Sequence, residues 1–174
     1  MEDILNIIVS RRSIKKYKQK AVEDCLIEKV LKAGCYAPSG KSKQSAILLC
    51  IKNKQIRDEL SALCAKYRGI ENFDVFYGAP VVVAVLADKS VPTYVYDGSV
   101  VIENMLLEAH SLGLGACWIH HAKQVFETQQ GKHILQLANI EGDYEGIGFC
   151  ILGYADMEIK NQIPRKQNYI YTID

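Results

Sequence analysis

The chain has 174 residues, 49% of them hydrophobic and 24% charged. That length makes one ordinary domain that can bury a core without disulfides or metal, and the composition excludes wholesale disorder. Lys plus Arg number 21 against 20 Asp plus Glu, and so small a net charge argues against a dedicated nucleic-acid binder, which carries a basic excess.

The first residues, MEDILNIIVSRR, begin acidic, and their apolar run is short. A signal peptide needs a basic start and a longer apolar core. No apolar run reaches the roughly 18 residues of a membrane span. A cytoplasmic protein is expected. Ile4, Leu5, Ile8 and Val9 recur at helical spacing, which predicts a helix over about 2–10. A basic cluster follows: Arg11, Arg12, Ser13, Lys15 and Lys16. A second helix is predicted from Val22 to about Cys35, punctuated by Gly34 and Pro38. Ser39–Ser45 is a polar loop, and Ala46–Ile51 is a buried strand.

Lys54–Tyr67 reads as a helix and Gly69–Pro80 as a loop. Val81–Ala87 is continuous and β-branched, which suits an interior strand. The longest helical pattern runs from about Asp97 to Leu112, closed by Gly113 and Gly115. Ala116–Ile119 is a short strand, Thr128–Leu137 a helix, and Gly146–Tyr154 another interior strand. The polar tail from Ala155 ends in an extended segment, Tyr169–Ile173. Four to five strands and about five helices make an α+β layered domain.

Several short motifs invite a chemical reading. Ser39-Gly40-Lys41-Ser42 imitates the end of a phosphate-binding loop, but Cys35 stands where its first glycine belongs. It also follows a helix and opens a strand, the reverse of what that loop requires. Gly113-Leu114-Gly115 begins a dinucleotide fingerprint whose third glycine would fall on Trp118. Cys117, His120, His121 and the distant His110 make at most half a metal site, so no metal is expected. Six cysteines without a Cys-x-x-Cys pair read as buried free thiols. Charge runs are ordinarily solvated surface, yet two arginines, a hydroxyl and a lysine within five residues suit phosphate oxygens. Arg165 and Lys166 form a second basic pair. Trp118, the single tryptophan, packs in the core or meets a flat ring.

In order, these pieces resemble the flavin-dependent nitroreductase family. They are Arg11-Arg12-Ser13-Ile14-Lys15; Ala37-Pro38-Ser39 through Gln44-Ser45-Ala46; Gly113 to Ile119; and Leu152-Gly153-Tyr154 followed by Pro164-Arg165-Lys166. The resemblance implies a central mixed, mainly antiparallel sheet flanked by helices over residues 1–154, with 155–174 as an extended arm. It implies a homodimer with FMN at the interface, NADH or NADPH as donor, and a small acceptor such as a nitroaromatic or quinone. Neither nucleic acid nor membrane is an expected partner. Arg11, Ser13, Arg165 and Lys166 would hold the FMN phosphate, with Arg12 in the same run and Lys15 near the pyrimidine edge. Pro38, Ser39, Gly40, Ser42 and Gln44 would come from the other subunit. Trp118, Ile119 and His120 would lie beside the ring. The flavin would carry the chemistry, with no separate catalytic side chain. The family's Asn is Ser42 here, its Pro-Trp pair is Ser45-Ala46, and both 120 and 121 are His. Two alternatives share these clusters: a non-catalytic flavin or phosphate-ligand module, and a phosphoryl-transfer enzyme using Ser39–Ser42. Apolar residues beyond one stripe of the long helix, with Tyr169, Ile170, Tyr171 and Ile173 in the tail, predict a dimer interface above the standard ~1,600 Å².

Overall fold

The computed structural model describes residues 3–70, 72–158 and 163–173. Glu2, Glu71, Ile159 and Asp174, each inside or bounding a predicted segment, lie outside the described residues. The elements are α1 (Ile4–Ser10), α2 (Asp24–Cys35), β1 (Ala46–Ile51), α3 (Lys54–Tyr67), β2 (Val81–Asp88), α4 (Tyr94–Ser111), β3 (Gly115–Ile119), α5 (Ala122–Glu127), α6 (Gln129–Leu137) and β4 (Tyr144–Gly153). A single 3-10 turn spans Gly40–Ser42.

Local chemistry sets most boundaries. Asn53 caps α3 by accepting from the N–H of Ile56 at 3.1 Å, one of the donors a helix start leaves orphaned. Asp3 caps α1 through the N–H of Leu5, and Thr128 caps α6 through the N–H of Gly131. The sequence pattern missed α5, a six-residue helix. It is too short to show a period, and it raises the helix count to six among the described residues.

The strands lie in the order β1-β2-β4-β3, and every neighbouring pair is antiparallel. The parallel component of the expected mixed sheet is one bridge, from Ser13 to Ala116. The central strands β2 and β4 are buried over nearly their whole length, as continuous apolar runs require. One face of the sheet places Phe149 of β4 in a cluster with Leu60 of α3, Phe76 of the loop before β2, Val125 of α5 and Ile134 of α6. The other packs Val83, Val85 and Cys150 against Val30 of α2 and against Ile102 and Met105 of α4. A register shift at Val85/Leu86 leaves Ile147 of β4 as an extra residue. Beside it, Gly148 lets the indole of Trp118 approach the strand closely, since a Cβ there would sit 2.5 Å from Nε1.

Burial is uneven at the surface. β1 is an edge strand with most of its side chains half-buried. Ile4, Leu5, Ile8 and Val9 of α1 are exposed, as are Tyr36, Tyr96 and Val100. The described part of the tail forms neither helix nor strand, and Ile170 and Ile173 are 84% and 99% exposed. The expectation of buried thiols holds for half the cysteines: Cys64, Cys117 and Cys150 are buried, Cys50 is intermediate, and Cys25 and Cys35 are exposed. All six are free.

Candidate functional site

The residues between α1 and α2 form a strap along the free edge of β3. The N–H of Ile14 donates to the Ala116 carbonyl at 3.0 Å. Further on, the N–H of Lys18 donates to the Tyr154 carbonyl at 2.8 Å, and that of Asp156 to the Lys16 carbonyl at 3.0 Å. Ile14 and Tyr17 are buried, while Ser13, Lys15 and Lys16 face outward. The Tyr17 hydroxyl donates to the Ile14 carbonyl at 2.8 Å, and burial pushes its pKa up. Two buried anchors thus hold the basic cluster against the sheet edge.

Arg11 and Arg12 line a cleft with Gly113, Gly115 and Ala116 at the start of β3. Arg11 Nε lies 3.9 Å from Glu103 of α4, and its Nη1 is buried without a hydrogen-bond partner. Arg12 Nη1 donates to the carbonyls of Val9 and Arg11 at 2.8 and 2.6 Å, and its Nε is likewise buried and unpartnered. Buried polar groups are nearly always satisfied, and a missing partner costs more when the group is charged. Two arginines that line one cleft and each keep a buried donor without a partner therefore call for an anion. Ser13 lies next to Cys117. Burial pushes the Cys117 thiol up, against the hydrogen bond from Ser13 and the charges of Lys15 and Arg11. Lys15 holds its ammonium 5.9 Å from the Tyr77 ring centre, and its N–H donates to Met157 Sδ at 3.3 Å.

The second group of predicted residues lines a separate cleft. Pro38, Ser39, Gln44 and Ala46 border it, together with Asp97 and Val101 of α4. The N–H of Gln44 donates to Ser39 Oγ at 2.9 Å, and the N–H of Gly40 to Asp97 Oδ1 at 3.0 Å. Ser42 is exposed with φ 55°. Ser45, which stands in place of the family's proline, is buried and donates to Asp97 Oδ2 at 2.7 Å. Ser39–Ser42 lies between α2 and β1. The strand–loop–helix order of a phosphate-binding loop is absent, which removes the phosphoryl-transfer alternative.

Trp118 and Ile119 point to opposite faces of the sheet. Trp118 is half-buried on the α4 face, and Ile119 is packed in the core on the other. His120 is exposed, and its ring lies 4.9 Å from that of His121, whose φ is 74°. His121 Nδ1 and Gln124 Oε1 are buried without partners. His110 is engaged with Ser10 Oγ at 2.7 Å. Among the described residues, no three His, Cys, Asp or Glu side chains come together as a metal site. Arg165 and Lys166 are exposed, and the Lys166 ammonium lies over the Tyr169 ring at 5.2 Å. Among the described residues no hydrogen bond or ion pair joins them to Arg11–Ser13. A broad groove lined by Lys18, Lys52, Arg57 and Lys66 contains none of the predicted residues.

Asp97 is the residue the sequence reading missed as a site component. Its partners Gly40 and Ser45 lie 57 and 52 positions away. The one local signal is Thr93, four residues earlier, whose hydroxyl donates to Asp97 Oδ2 at 3.2 Å.

The model of the family described as "Nitroreductase family" matches residues 8–67 and 69–157. A protein of Methanothermobacter thermautotrophicus, provisionally named NADH dehydrogenase/NAD(P)H nitroreductase, is 32% identical over 120 residues, 67% of this chain and 60% of that protein. The match thus spans less than two thirds of that relative's length. A protein of Archaeoglobus fulgidus with the same provisional name is 32% identical over 124 residues, 68% of each chain. The crystal structure of a nitroreductase with bound FMN from Bacteroides fragilis superposes with a TM-score of 0.90 at 25% identity, covering 100% of both chains.

Proposed function

The chain belongs to the nitroreductase family, and from that premise we propose that it is an FMN-dependent oxidoreductase, taking reducing equivalents from NADH or NADPH and passing them to an electron-poor small molecule such as a nitroaromatic or quinone. The observation that carries this reading is the pair of buried, unpartnered guanidinium nitrogens, Arg11 Nη1 and Arg12 Nε, on two arginines that line the cleft at the start of β3. A phosphate is the anion whose oxygens match that fork. FMN, when bound, supplies the hydride and electron chemistry.

The protein's part is orientation and charge. Arg11, Arg12 and Ser13 take the phosphate, with Arg165 and Lys166 as further contacts. Lys15 offers a positive charge that stabilises electron density placed on the ring. Trp118, Ile119 and His120 form the wall at the end of β3. Because Trp118 and Ile119 face opposite sides of the sheet, only one side chain of the pair meets the ring, and the other contributes backbone. Pro38, Ser39, Gly40, Ser42 and Gln44 come from a second copy, since in one chain Pro38, Ser39 and Gln44 line a different cleft.

A homodimer fits the surface. The exposed apolar residues of α1, Tyr96 and Val100 of α4, and Ile170 and Ile173 of the tail all lack cover, and large exposed apolar patches mark association surfaces. The tail can add its alternating side chains to the open edge of β1 in the partner. Residues 1–154 then form the flavin-binding body and 155–174 the arm. Among the described residues no helix is long and apolar enough to cross a membrane. Six free cysteines suit the reducing cytoplasm, and the small net charge suits small-molecule rather than nucleic-acid partners.

An absorbance spectrum of the purified protein, with identification of the released cofactor, tests the reading. A yellow protein that bleaches with NADH or NADPH and recovers with a quinone supports it. Colourless protein that ignores added FMN overturns it, and bound FMN that no donor reduces turns it into a binding module. Deleting residues from about 167 onward is expected to reduce dimer stability and FMN retention together, measured by sedimentation and flavin content.

A further inference from the structure

The loop that carries Ser39, Gly40, Ser42 and Gln44 is strained and nearly coreless. Lys41, Ser42 and Gln44 have φ of 51°, 55° and 49°, the left-handed region that is unfavourable for an L-residue with a side chain. Such strain persists only where the surroundings over-determine the backbone. Among residues 39–44 none is buried, so apolar packing does not do it.

Asp97 does. It is 5% exposed, in the first turn of α4, and enters no ion pair among the described residues. Both its oxygens are in use: Oδ1 accepts from the Gly40 N–H at 3.0 Å, and Oδ2 from Ser45 Oγ at 2.7 Å and Thr93 Oγ1 at 3.2 Å. One carboxylate therefore ties both ends of the loop to one helix. Gly40 lies so close to that helix that a Cβ would sit 2.2 Å from Thr93 Oγ1. Burial pushes the Asp97 carboxyl up, but its hydrogen bonds from Ser45, Gly40 and Thr93 outweigh this and hold it below the usual carboxylate range.

The amides of the loop are spent internally. Those of Ser42 and Lys43 donate to the carbonyls of Ser39 and Gly40, both at 3.1 Å, and that of Gln44 donates to Ser39 Oγ. With the Gly40 N–H on Asp97, the loop has no run of free amides to cradle an anion. Its contribution is shape.

We propose that Asp97 is a positioning residue: by clasping Gly40 and Ser45 it fixes the left-handed backbone between them, and so sets the wall that this loop presents to the cofactor of the second copy. The proposal rests on the FMN reading above. Asp97→Ala leaves Gly40 and Ser45 without an acceptor. Asp97→Asn keeps one acceptor oxygen and offers its amide to hydroxyls that can turn and accept, so it is a partial rescue.

The test uses purified full-length protein. Trypsin cuts after Lys41 and Lys43, inside the loop. With Asp97→Ala, cleavage there is expected to rise at least fivefold while cleavage elsewhere holds. FMN affinity is expected to fall at least tenfold, and the visible circular dichroism of the bound flavin to change. Asp97→Asn should fall between Asp97→Ala and wild type on all three readouts. Should Asp97→Ala fail to fold, Ser45→Ala, which removes the shortest of the three hydrogen bonds, should move the same readouts less far in the same direction. Folded variants with wild-type cleavage overturn the proposal. So does faster cleavage with unchanged FMN affinity and unchanged flavin dichroism, which would make the clasp structural only. Wild-type protein that takes up no FMN overturns the premise and the proposal with it. That outcome is told apart because Asp97→Ala would still speed cleavage in the loop.

Discussion

Two loops of this molecule are each organised by an aspartate, and they are built in opposite ways. In the loop at 72–80 the carboxylate belongs to the loop itself. Asp74 accepts from Ser61 Oγ at 2.7 Å and from the N–H groups of Phe76 and Gly78 at 3.0 and 2.7 Å, and it pairs with the buried guanidinium of Arg57. Val75 and Phe76 then plunge into the core, both fully buried. The 39–45 loop sends only Ser45 inward, and its carboxylate is lent by a helix far away in sequence. The first loop is held by apolar burial and would keep its place even if one of its hydrogen bonds were removed. The second has hydrogen bonds alone. A loop anchored by its own aromatic side chain is scaffold. A loop anchored by a borrowed carboxylate can have its exposed side chains changed without disturbing a core, which suits a surface that meets ligands.

The largest effect that would break this contrast lies in the scaffold loop. Phe76→Ala is expected to destabilise the protein by about 3–5 kcal/mol, read from urea unfolding. A loss below about 1 kcal/mol, the level of an ordinary surface change, would mean the loop is not anchored by its core insertion. Next come the two basic clusters, in the strap and in the tail. Arg11→Ala or Arg165→Ala is expected to weaken FMN binding by about 1.5–3 kcal/mol, the range for hydrogen bonds to charged groups. Fluorescence titration should show the affinity falling with salt. Wild-type affinity in either variant removes that residue from the phosphate site.

Acid should act on both loops in the same direction. Burial pushes Asp74 up, but the hydrogen bonds from Arg57, Ser61 and the Gly78 N–H outweigh it, so like Asp97 it is held below its ordinary range. As pH falls, the unfolded chain takes up these protons first. The stabilisation is therefore full above the unfolded value of about 3.9, and it is lost as pH falls through the lower native values. Stability should be flat near neutrality with respect to these groups and fall below about pH 4. Asp74→Asn should flatten part of that fall in urea midpoints measured against pH, and an unchanged acid slope would refute the assignment.

The smallest effect is the most discriminating. Gln44→Gly should stabilise by about 0.5–1 kcal/mol by relieving a left-handed φ. Asn72→Gly, at φ 58° in the other loop, should gain almost nothing, because asparagine tolerates that region. Equal gains would show that the left-handed turn at Gln44 costs no more than the one asparagine occupies at 72.

How much of this was legible in the sequence depended on whether the cause was local. α3 matches its pattern residue for residue because Asn53 and the apolar spacing both act within a few positions. α4 starts at Tyr94, ahead of the predicted Asp97. Its first turn is polar and aromatic, and Gly98 looks like a start rather than an interior residue. β4 begins two residues early for a similar reason: Tyr144 and Glu145 are only partly buried. The cluster Arg11–Lys15 was readable as chemistry because its residue types are dense. That it lies along β3 was not readable, since that depends on a strand a hundred residues on. Least legible was Asp97, an aspartate on a helix like many others, whose meaning comes entirely from the loop it reaches.

The close approach of Trp118 to Gly148 has a practical consequence. The chain holds one tryptophan, half-buried at the end of β3 and pressed against the sheet. Selective excitation of that indole reports a single position instead of an average over the molecule. Any planar chromophore arriving beside β3 should drain its emission by energy transfer. Occupancy can then be followed in real time without a label, and the same signal in the Asp97 and Arg11 variants separates a site that is empty from one that is filled but misshapen.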